Sequence, residues 1–78
     1  MRYVDSKAFR RAMIDADFTT FSQVEETTGV YKGTISNIVN SGQKPNYETI
    51  SKLVDAFHLR YDEIGRIFFA NELAEMKE

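Results

Sequence analysis

Residues 24–40 read VEETTGVYKGTISNIVN. Val24 and Thr28 share one face of a short helix, which the glycine at position 29 ends. Glycine is the residue that most cheaply adopts the left-handed backbone following a helix. A second helix begins at about Lys32. Its apolar side carries Ile35, Ile38 and Val39; its polar side carries Lys32, Gly33, Ser36, Asn37 and Asn40. Two short helices joined by three or four residues that include a glycine form a helix-turn-helix. The stretch predicts one, with its core at about residues 20–40.

Outward from this core the chain reads as helix throughout. Apolar residues recur at helical spacing, and no run alternates with period two between turn signals. A first helix is expected over about 6–15, capped by Asp5, with Val4 and Phe9 as a hydrophobic staple and Phe9, Ala12, Met13 and Ala16 as one buried stripe. Thr20 and Gln23 have capping-box spacing at the start of the second helix, whose inner face is Phe21, Val24 and Thr28. After the third helix comes a loop at 41–45, SGQKP, where proline blocks continuation. Asn46 caps a fourth helix that turns Ile50, Leu53, Val54 and Phe57 inward, and His58 marks its end. A fifth starts near Tyr61 or Asp62, with Ile64, Ile67, Phe68 and Leu73 inward, and is expected to extend toward the C-terminus.

Seventy-eight residues set one small domain, 1–78, and the 42% hydrophobic content is that of a globular protein. There is no cysteine, which excludes a disulfide framework and a thiolate metal site and fits a reducing compartment. The longest apolar run, 67–70, is far too short to span a membrane, and the N-terminus has no apolar h-region. A cytoplasmic protein is expected. The net charge of −2 hides a segregation. Segment 27–52 is net basic through Lys32, Lys44 and Lys52, while 53–78 is net acidic.

The ordered series Gly29-Val30, Thr34-Ile35-Ser36, Ile38, Asn40, Lys44-Pro45, Glu48-Thr49-Ile50, Lys52-Leu53, Ala56-Phe57, Leu59 and Asp62-Glu63-Ile64 resembles the Cro/repressor-like helix-turn-helix family, the lambda-repressor-like DNA-binding domains. The resemblance covers about residues 9–64. It implies an all-α, five-helix domain that binds specific duplex DNA and regulates transcription, as small phage or mobile-element regulators do. The chain departs from the family pattern at Phe21, where glutamine usually contacts a phosphate, and at Glu25, where alanine is usual. Tyr31 stands where serine often caps the third helix, and Gly33 replaces a residue with a side chain.

On this reading Lys32, Gly33, Ser36 and Asn37 meet base edges in the major groove. Asn pairs with adenine N6 and N7, Lys with guanine O6 and N7, and Ser with either. Gly33 offers close backbone approach. Phosphate contacts are expected from Thr20, Phe21, Tyr31, Thr34, Asn40, Gln43, Lys44 and Tyr47, with the backbone N–H groups of Gly42 and Gln43 among the donors. Arg10 and Arg11 are placed either on an outer phosphate or against Asp15 and Glu25. From pattern alone, the same polar face suits a solvated helix equally well. The apolar stretch IFFANELAEM at 67–76 suggests a homodimer surface of Phe68, Phe69, Leu73 and Met76. The alternative is a protein-interaction module, an antirepressor or antitoxin that captures another regulator. No enzyme is expected. One histidine and no cysteine make no zinc set, the adjacent acids diverge on their helices, and no glycine-rich phosphate loop occurs, so neither metal nor cofactor is implied.

Overall fold

The computed structural model describes residues 3–69. It is all-helical, with α1 (Ser6–Asp15), α2 (Phe21–Thr28), α3 (Lys32–Asn40), α4 (Tyr47–Phe57) and α5 (Tyr61–Phe68). Among the described residues, no helix is long and apolar enough to cross a membrane.

Each helix starts where a side chain can take up its unpaired N–H groups. The Asp5 carboxylate accepts from Ala8 N at 3.1 Å. At α2 the box is complete: Thr20 Oγ1 accepts from Gln23 N at 3.2 Å, and Gln23 Oε1 accepts from Thr20 N at 3.2 Å. Asn46 Oδ1 accepts from Thr49 N at 2.8 Å. At α5 the Glu63 carboxylate accepts from Arg60 N at 3.1 Å. Such caps are each worth about 0.5–2 kcal/mol, which matters for helices of eight to eleven residues that would be marginal alone.

The helix ends share a device. Asp17 (φ 69°) and His58 (φ 54°) both adopt the left-handed conformation without being glycine. After α1, Phe18 N donates to Met13 O and Asp17 N to Ile14 O, both at 2.9 Å. After α4, Leu59 N donates to Val54 O and His58 N to Asp55 O. These are Schellman turns, which satisfy otherwise orphaned carbonyls and send the following apolar residue back to the core. Phe18 accordingly lies 5.6 Å from Phe57, ring to ring. Gly29, at φ 79°, ends α2 in the same backbone region.

The core is built on Phe9, wholly buried, which meets Phe57 and Phe68 edge-on at 5.4 and 6.4 Å. Val4, Val24, Ile35, Ile38, Val39 and Leu53 fill the space around it. Asp5 N donates to Ile67 O at 2.9 Å and ties the N-terminal segment to α5. Phe68 is therefore core, 2% exposed, as its inward place in the fifth helix predicts, and not part of the expected partner surface. Phe69 is half-buried against the same core. In a continuous helix, neighbouring side chains point about 100° apart. The backbone instead leaves helical dihedrals at Phe69 (φ −128°), so α5 closes at Phe68 and both rings reach the core. Leu73 and Met76, the remainder of the expected dimer surface and of the C-terminal extension, lie outside the described residues.

Candidate functional site

α2 and α3 pack on each other through the three-residue link Gly29-Val30-Tyr31, with Val30 buried beneath it. α3 turns Ile35, Ile38 and Val39 entirely into the core, which fixes its rotation about its own axis. The opposite side must then face outward. Lys32, Asn37 and Asn40 are exposed there, and Gly33 and Ser36 are half-buried.

The ends of this nine-residue helix are held by other helices. Tyr31 gives it no side-chain cap. Glu25, from α2, reaches across the turn, and its Oε2 accepts from Lys32 N at 3.2 Å. The side-chain cap that Tyr31 does not give is thus supplied by the Glu25 carboxylate. At the far end, Arg10 from α1 donates to Asn40 Oδ1 at 2.9 Å, and Asn40 Nδ2 donates to Ser36 Oγ at 3.3 Å. An anion at the N-terminus and a cation at the C-terminus both suit the helix dipole, by about 0.3–1 kcal/mol each.

Arg10 also lies over the ring of Phe21, 5.5 Å from its centre. The guanidinium therefore stands between the start of α2 and the end of α3, close to where the sequence placed phosphate contacts at Phe21 and Asn40. Among the described residues it engages no carboxylate, so the alternative pairing with Asp15 or Glu25 is not adopted. Lys44 is exposed with its Nζ 5.1 Å above the Tyr3 ring. Among the described residues, the ion pairs are Glu48–Lys52, Arg60–Asp62, Arg60–Glu63 and Arg66–Asp62, and none involves Arg10, Lys32 or Lys44.

Other expected contacts fare unevenly. Thr20 Oγ1 is engaged as the α2 cap, leaving its hydroxyl proton to donate. Thr34 is half-buried in the first turn of α3. The backbone N–H of Gln43 is not available, because it closes the end of α3 on Asn37 O at 3.2 Å; the Gln43 side chain is exposed. Gly42, at φ 80°, makes the bend that permits this. Tyr47 projects from the first turn of α4 at 85% exposure. Gly33 does not present bare backbone outward: a side-chain carbon there would run into the ring of Tyr31, which occupies that space. Sequence reasoning missed the Glu25 cap and the Arg10–Asn40 bond. Arg10 and Asn40 are separated by thirty positions, and no local pattern signals that pairing.

No protein-family model, curated protein or solved structure matches the chain.

Proposed function

We propose that the chain is a sequence-specific duplex-DNA-binding regulator of the helix-turn-helix kind, with α3 entering the major groove. The observation that carries this reading is the outward side of α3. Lys32 and Asn37 are exposed there, Asn40 is held by Arg10 and bonded to Ser36, no acid stands among Lys32, Gly33, Ser36, Asn37 and Asn40, and cations not paired with carboxylates among the described residues lie at its flank and in the following loop. A helix about 10–12 Å across matches a major groove about 12 Å wide. On this reading Lys32 and Asn37 read base edges, while Arg10, Thr20 and Lys44 anchor phosphates on either side.

The resemblance in the sequence adds to this, since its series includes Ser36, Asn40 and Lys44. Regulation would be by occupancy, α3 covering a promoter or excluding polymerase. Two copies on a two-fold site would stand about one helical turn, roughly 34 Å, apart. Selection of bound sequences from a random duplex pool tests the proposal. Enrichment of a defined motif, with binding that weakens steeply as salt rises, is the expected result. A pool that returns unchanged after repeated rounds would refute it.

A further inference from the structure

Tyr31 is 65% exposed, yet it is not placed at random. Its ring takes the space where Gly33 would otherwise carry a side-chain carbon, so it lies along the side of α3 that bears Lys32, Gly33, Ser36 and Asn37. Its side chain has no capping duty, because Glu25 performs it. Glycine within a helix is unfavourable by about 1 kcal/mol relative to alanine. Here it makes room for an aromatic group on an otherwise polar reading surface.

We infer that Tyr31, seated on Gly33, is a specificity-determining residue that recognises the C5-methyl group of a thymine in the major groove. This rests on the DNA-binding reading above and moves Tyr31 from a phosphate contact to a base contact. Lys32, Ser36 and Asn37 present hydrogen-bonding groups, which suit purine edges and exocyclic amines. A thymine is marked by its methyl, which calls for an apolar surface. Residues at the N-terminal end of a recognition helix are the ones that meet base edges, and the Tyr31 ring lies at that end.

The test uses the whole chain and a duplex selected from a random pool. Each thymine under the α3 footprint is replaced singly by deoxyuridine, which removes only the methyl. For the unaltered protein, at least one replacement should weaken binding about four-fold, the worth of one buried methyl group. Tyr31→Phe should keep that sensitivity. Tyr31→Ala should lose it, and so should Gly33→Ala, in which the new methyl meets only the Tyr31 ring and displaces it from its seat. The same uracil sensitivity in Tyr31→Ala as in the unaltered protein, or indifference of the unaltered protein to every replacement, overturns the assignment and leaves the DNA reading standing. A pool with no enriched sequence sinks both.

Discussion

The cations around α3 and those on α4 and α5 are held in opposite ways. Lys52, Arg60 and Arg66 sit 3.2–3.9 Å from carboxylates of Glu48, Asp62 and Glu63. Arg10 and Lys44 sit against an amide oxygen and two aromatic rings. A carboxylate cancels a cation's charge; a ring or an amide positions it and leaves the charge intact. Exposed cation–π contacts are worth about 0.5–1 kcal/mol, so a phosphate can replace them at little loss. A chain of net charge −2 can still carry such cations beside α3, because acids of α4 and α5 take up the cations of those same helices, while Glu25 is engaged as the cap of α3.

The comparison breaks most sharply at the reading face. Lys32→Ala and Asn37→Ala should each cost about 1–3 kcal/mol on a selected duplex and relax preference at one position. Lys52→Ala should leave that affinity within error. A binding titration in which Lys52→Ala equals Asn37→Ala would erase the distinction between the two faces.

A smaller effect is expected at the α3 cap. Glu25→Ala removes the carboxylate from Lys32 N and should lower unfolding free energy by about 1 kcal/mol in urea denaturation. Arg66→Ala, which loses only an exposed contact, should change stability by less than about 0.5 kcal/mol. Equal midpoints for Glu25→Ala and the unaltered protein would remove the cap from the account.

Arg10 and Lys44 sharpen the contrast through salt. Each counterion-releasing phosphate contact contributes about 0.9 to the slope of log affinity against log salt. Arg10→Ala and Lys44→Ala should each reduce that slope by about one such step and weaken all sequences alike, while Arg60→Ala leaves it unchanged. Affinity measured at four or five salt concentrations decides the matter.

The smallest expected change is at His58. Its left-handed backbone is strained for any residue with a side-chain carbon, so His58→Gly should stabilise the fold by about 0.5–1 kcal/mol without altering DNA affinity.

Much of this architecture is legible in the sequence. Asp5, Thr20 with Gln23, Gly29 and Asn46 are local signals, each acting within three or four residues of the backbone groups it serves, and they bound the helices where the sequence placed them. The apolar stripe Phe9, Ala12 and Met13 is local too. What stayed hidden depends on chain crossings. The Arg10–Asn40 bond, the reach of Glu25 to α3 and the seat of Lys44 over Tyr3 join residues that only the packed core brings together. Helical spacing turns Phe68 inward but leaves Phe69 on another side, and only the break at Phe69 lets two adjacent rings share the core. Gly33 offers bare backbone in the sequence alone, because the ring of Tyr31 that lies over it is set by the turn geometry.

The most direct test is to map backbone amide resonances of the intact chain as a selected duplex is added. Shifts concentrated in α3, the first turn of α2 and residues 42–47, with the second half of α4 and α5 unmoved, are what the account predicts. Shifts confined to α5, or an unchanged α3 at saturating duplex, would contradict it.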